Sequence, residues 1–187
     1  MFPALQEAVE RLSIPLDGRA LEAVLALRDR LEATIAEAVG AFDAASLWDV
    51  DLATSMTAWL RQSGLSRRDA ARLAGHAKRL RSLPVTAGAW RAGELSSGQV
   101  DTILSVVGER HVERFADHEA ALVPVLAPLG MQELSRVMAE WRAKADALAP
   151  TWAPDGRATF RHGGSVRERE AHIIWRRIAS HDILKQP

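Results

Sequence analysis

Residues 64–107 read GLSRRDAARLAGHAKRLRSLPVTAGAWRAGELSSGQVDTILSVV. Two helix starts lie in this stretch, at Ser66 and Ser96, each a Leu-Ser step ahead of a helical run. Serine is a favoured N-cap because its hydroxyl accepts from a free N–H of the first turn. In Ser66-Arg67-Arg68-Asp69 an aspartate stands where a capping box usually has Glu or Gln. Ala70, Leu73, Ala77 and Leu80 then recur at three- and four-residue spacing, which predicts a helix over 67–81 with those four buried. Arg68, Arg72 and Arg79 fall on its opposite face. Leu83-Pro84 ends that helix, because proline disfavours helical geometry in the residue before it. Thr86 is expected to cap a short helix through Ala92, with Trp90 inward and Gly93 as the stop. Ser96 caps the next helix, over 97–107, on an inner stripe of Val100, Ile103, Leu104 and Val107, and Gly108 closes it.

Upstream, residues 2–12 form a short amphipathic helix with Leu5, Val9 and Leu12 on one side, stopped by Ser13-Ile14-Pro15. Asp17 caps a long helix to Phe42, whose stripe is Leu21, Val24, Leu25, Leu31, Ile35, Val39 and Phe42. Such a helix is either a scaffold of the bundle or a dimer seam, and Arg28 and Ala38 interrupt the stripe. A loop holding Trp48 leads to a helix over 54–63 with Met56, Trp59 and Leu60 inward, and Gly64 fits the left-handed position past its end. Downstream, 112–126 is helical with an interruption near Pro124, and 131–148 is amphipathic through Leu134, Val137, Met138, Trp141 and Leu148. Beyond Pro150 the character changes: Pro154-Asp155-Gly156 is a turn signal, Thr159-Phe160 reads as a short strand and 165–183 as a last helix. The expected architecture is all-α: a multi-helix orthogonal bundle with helix-turn-helix-like corners over 1–150, and a peripheral tail over 151–187.

Composition agrees. Among 187 residues, 33 are Ala and only 5% are aromatic, so the core is aliphatic and helix propensity is high. Cysteine is absent, which removes disulfides, thiolate nucleophiles and Cys-ligated zinc together. There is no secretion signal and no apolar run near the ~20 residues that span a bilayer. A cytoplasmic location and no membrane partner are expected. Net charge is zero but uneven: residues 1–60 carry 4 basic and 10 acidic side chains, and residues 61–100 carry 8 basic and 2 acidic. Either these segments pair with one another, or the basic one meets a polyanion.

The run from Trp59 to Leu73 has the pattern of a helix-turn-helix. Arg67, Arg68 and Arg72 sit where a recognition helix reaches phosphates or base edges, and Arg79 extends the same basic face. These four are the candidate nucleic-acid-binding residues; the bland alternative is a helical corner with solvated arginines. The second corner, 90–96, carries less charge, and its helix exposes Gln99, Asp101, Thr102 and Ser105, so its role is structural. His76, His111, His118, His162, His172 and His181 show no tight ligand spacing and read as surface or cap histidines. No phosphate loop, nucleophile elbow or paired catalytic carboxylates appear. No catalytic residue, metal, cofactor or small-molecule substrate is therefore inferred.

Ala58-Trp59-Leu60, Gly64-Leu65-Ser66-Arg67, Ala70 to Leu73, Leu80, Leu83-Pro84, Thr86, Gly93-Glu94-Leu95-Ser96 and Ile103 together resemble the actinobacterial family called domain of unknown function 222, or the 13E12 repeat family. The resemblance covers roughly residues 17–150. The 21 Arg against 3 Lys suit a high-GC genome. The resemblance implies an all-helical domain that commonly precedes an HNH endonuclease domain. That nuclease needs a His-Asn-His site, and this chain has no Asn, so the activity is not carried over. From residue 165 on the sequence does not look like the family's usual continuation, and a truncated or frameshifted remnant is one expectation. The leading expectation is a non-catalytic domain assisting DNA association. The runner-up is a protein-interaction or homodimerisation module without nucleic acid, and the third a vestigial fragment of a mobile-element nuclease.

Overall fold

Short polar residues and glycines punctuate the helices. The computed structural model describes residues 2–147 and the backbone of 151–152 and 158–159. Contacts divide it into two compact units, Met1–Ala139 and Glu140–Pro187. Eight α-helices occur among the described residues: α1 (Pro3–Glu10), α2 (Gly18–Ala44), α3 (Met56–Gln62), α4 (Arg67–Leu80), α5 (Pro84–Ala92), α6 (Ser97–Ala116), α7 (Glu119–Leu126) and α8 (Met131–Ala147). A single 3-10 turn, Leu47–Asp49, follows α2. Among the described residues the fold is all-α apart from one antiparallel pair in the second unit, β1 (Thr151–Trp152) with β2 (Ala158–Thr159). The turn expected at 154–156, the last helix at 165–183 and the placement of Leu148 lie outside the described residues.

In the first unit, α2 makes its broadest contacts with α4 and α5, and α3 packs on α4. The deepest core holds Leu83, Leu95, Val100, Ile103, Leu104, Val107, Phe115 and Leu126, all fully enclosed. Val100, Ile103, Leu104 and Val107 are thus the inner stripe of α6, as their spacing predicts. A second cluster joins Val39, Met56, Leu60, Ala70 and Ala77 beneath Phe42 and Trp59, whose rings lie 4.8 Å apart at 43°. Asp17 caps α2 by accepting from the Arg19 N–H at 2.8 Å.

Four points about the elements correct or sharpen what is expected. The stripe of α2 is covered only at its C-terminal end: Leu21, Leu25, Leu31 and Ile35 are exposed, whereas Val39 is buried and Phe42 packs on the core, and the other buried residues of α2 are Ala33, Ala36 and Gly40. Small residues win there because α2 approaches α4 closely; a Cβ on Gly40 would lie 3.1 Å from the Ala77 carbonyl oxygen. Secondly, α6 is two helical segments: the first closes at Gly108 (φ 53, ψ 172), as expected, and the second follows it to Ala116. Thirdly, the break in the next run falls at Asp117 and His118, and Pro124 sits inside α7. Proline deprives only the Ala120 carbonyl of its partner, and Ala120 is exposed to water. Finally, α5 begins at Pro84, so Thr86 lies inside the first turn rather than capping it.

Candidate nucleic-acid interface

The two corners are built from the same local parts. After α3, Gly64 takes φ +97, its N–H donates to the Arg61 carbonyl at 3.1 Å, and the Leu65 N–H donates to the Leu60 carbonyl at 3.2 Å. After α5, Gly93 takes φ +82, its N–H donates to the Trp90 carbonyl at 3.0 Å and the Glu94 N–H to the Ala89 carbonyl at 2.9 Å. Both are Schellman terminations, which need a residue free to adopt positive φ. Each is followed by a serine N-cap accepting from the third helical residue, Ser66 from Asp69 and Ser96 from Gln99.

Their third residues then differ. Gln99 completes a capping box by accepting from the Ser96 N–H at 2.9 Å, and its amide donates to the Ala127 and Leu129 carbonyls, both at 3.0 Å. Gln99 is buried, not exposed as its position suggested. Asp69, one methylene shorter, instead accepts from the Ser66 hydroxyl at 2.7 Å. The second corner is tied into the interior; the first stays at the surface, with Ser66, Arg67, Arg68 and Asp69 all exposed.

The four candidate arginines of α4 separate into two kinds. Arg67 and Arg68 are exposed and have no ion-pair partner among the described residues, and Arg61 at the end of α3 shares that condition. Arg72 is engaged: its guanidinium donates to both carboxylate oxygens of Asp101 on α6, at 2.9 and 3.2 Å. Arg79 is half-buried, its Nε has no partner, and burial lowers its pKa against the opposing pull of Glu109. Next to it, Lys78 pairs with Glu109 at 2.9 Å, and that contact holds the Glu109 carboxyl below its usual range. The C-terminal half of the basic face is thus largely answered by acids of α6.

Histidine 76 belongs to the same arrangement and is not a surface residue. It is 6% exposed, with Nδ1 3.1 Å from the Asp101 carboxylate. Burial pushes its pKa down to about 4, with Arg79 and Arg72 adding to the effect and Asp101 opposing it. Burial prevails, so the ring is neutral near pH 7, with Nδ1 beside the Asp101 carboxylate. His111 is also buried, and its Nε2 accepts from Arg110 Nε at 3.0 Å.

A buried acid was missed by the sequence reading altogether. Glu119 is 3% exposed and accepts from the Val85 N–H (3.0 Å), the Thr86 N–H (3.1 Å) and the Thr86 hydroxyl (2.9 Å). It caps α5 from 33 residues away, where Pro84 leaves the next two N–H groups as the unsatisfied donors. No local signal in the sequence marks it.

Between α2, α4 and α5 a groove of about 340 Å³ is floored by small residues such as Ala33 and Ala36. Its rim cations are engaged: Arg91 pairs with Glu37 at 2.8 Å, and Arg81 donates to the Gly40 carbonyl at 3.2 Å. Among the described residues no group of three or more His, Asp or Glu is placed to hold a metal ion. No described helix is long and apolar enough to cross a membrane.

A family model described as "Domain of unknown function (DUF222)" matches residues 18–179. The match begins at the first residue of α2 and runs past residue 150, into the part whose sequence changes character. No curated protein and no solved structure matches the chain.

Proposed function

The chain belongs to the DUF222 family, and from that premise we propose that it is a non-catalytic helical module that associates with DNA through the surface at the start of α4. What supports this most is the position of exposed Arg67 and Arg68, without ion-pair partners among the described residues, at the first two positions of a helix that follows a tight turn, ahead of the Asp69 N–H that Ser66 caps. Guanidinium groups and unsatisfied N–H groups together favour phosphate oxygens. The resemblance to a family that commonly precedes an HNH nuclease domain points the same way. Arg61 extends the patch, whereas Arg72 and Arg79 serve the α4–α6 contact first. With so few free cations, binding is weak and phosphate-directed rather than base-specific.

Duplex binding by fluorescence anisotropy at low salt tests it. The double variant R67E/R68E loses binding, while K78E, which alters a cation already held by Glu109, changes affinity by less than about twofold. Equal losses in both variants, or no wild-type binding at all, would remove the DNA role and leave an interaction module.

A further inference from the structure

The face of α2 that its own chain leaves uncovered has a symmetry that points to its occupant. Leu21, Leu25, Arg28, Glu32, Ile35 and Val39 are spaced four, three, four, three and four residues apart, the seam of a coiled coil. The sequence of chemical types reads apolar, apolar, positive, negative, apolar, apolar, so reversing it about the level of Arg30 lays apolar on apolar and positive on negative. Leu25, Leu31 and Ile35 are 44%, 45% and 44% exposed, and the core-facing residues Ala33, Ala36 and Gly40 lie to one side of this seam. Val24 and Leu31 widen the apolar strip on the other side.

We infer that α2 pairs antiparallel with the α2 of a second copy of this chain, about a two-fold axis at the level of Arg30. In that register Leu25 meets Ile35 of the partner, and Arg28 meets Glu32 of the partner, each contact made twice. A two-fold interface requires this self-complementarity, because one patch must fit itself. In a parallel, in-register pair, Arg28 would face Arg28 and Glu32 would face Glu32, so the charges select the antiparallel arrangement. Within one chain the two are only loosely joined, at 3.6 Å, with side chains 56% and 40% exposed, and the nearer partner of Arg28 in its own chain is Asp29, at 3.0 Å. The partner closes that contact and covers the leucines. Leu21 would fall opposite Val39, which its own core already covers, so the shared seam is short and the dimer is of modest affinity.

Sedimentation equilibrium of the full chain, without DNA, tests the inference independently of the DNA reading. The wild type is expected to dimerise at tens of micromolar, roughly a Kd of 10 to 100 µM. R28E places glutamates at both central positions and E32R places arginines there, so each alone weakens self-association about tenfold or more. Mixed together, the two variants form a heterodimer within about threefold of the wild-type affinity. Repair of the contact inside one helix cannot mimic that rescue, since each chain keeps its like-charged pair. L25K, at an exposed position, abolishes association with little loss of thermal stability. A wild type that stays monomeric up to about 200 µM, or a mixture that associates no better than either variant alone, overturns the inference.

Discussion

Replacing Glu119 by Ala should be among the most destabilising single changes available in the first unit. The carboxylate accepts three hydrogen bonds at 3.0, 3.1 and 2.9 Å and is only 3% exposed. Its removal leaves the Thr86 N–H and hydroxyl without an acceptor in a site where Thr86 is fully enclosed. Each such buried donor costs about 1 to 3 kcal/mol. Val85 is 37% exposed, so water recovers part of the third bond. A favourable negative charge at the start of α5 is lost as well, worth roughly 0.3 to 1 kcal/mol. The total is about 2 to 7 kcal/mol, a large share of the stability of a domain this size. E119Q keeps one carbonyl acceptor but turns its NH₂ group towards a donor, so it should lose about half as much. Urea unfolding followed by circular dichroism, with unchanged slope, measures both. A loss below about 1 kcal/mol for E119A would mean that the cap adds little beyond what water supplies.

Three further outcomes follow from the same geometry. His76 has a folded pKa of about 4, below its ordinary value; its contribution is therefore intact above pH ~6.5 and lost as pH falls towards ~4, by up to about 3 kcal/mol. H76Q should flatten that part of the stability–pH profile, and parallel wild-type and variant profiles would contradict the assignment. G40A and G88A should change stability in opposite directions in thermal melts. A Cβ at Gly40 meets backbone at 3.1 Å whereas one at Gly88 meets nothing within 4 Å, giving a net loss of about 1 kcal/mol for the first and a gain of about 0.5 to 1 for the second. D101N removes the charge that holds Arg72; freed for phosphate, Arg72 should tighten duplex binding about tenfold at 50 mM salt and steepen the salt slope by about one contact. An unchanged slope would place Arg72 outside the interface.

The parts of this fold that could be read from the sequence are those decided within a few residues. Asp17, Ser66 and Ser96 cap the helices directly after them, and Gly64 and Gly93 terminate those before, because caps and left-handed glycines act through neighbouring N–H groups. The stripe of α6 was legible because the helix is enclosed along one face. What failed depends on distant partners. Thr86 looked like a cap, but the acceptor is Glu119 on α7. Gln99 looked like a surface residue, and it holds the α7–α8 connection through two carbonyls. On α2, periodicity located an apolar face correctly but could not say that small residues, a third of a turn away, meet α4 and α5. At the candidate interface, charge clustering picked out the basic helix. Its partial neutralisation depends on Asp101 and Glu109 reaching back from α6.

The most direct test of the DNA role is the salt dependence of duplex binding by the wild type and by R67A/R68A. If these two arginines are the phosphate contacts, log K falls linearly with log salt, and the double variant has a slope shallower by about two contacts, close to 1.8. An identical slope in the two proteins, or binding indifferent to salt, would contradict that account.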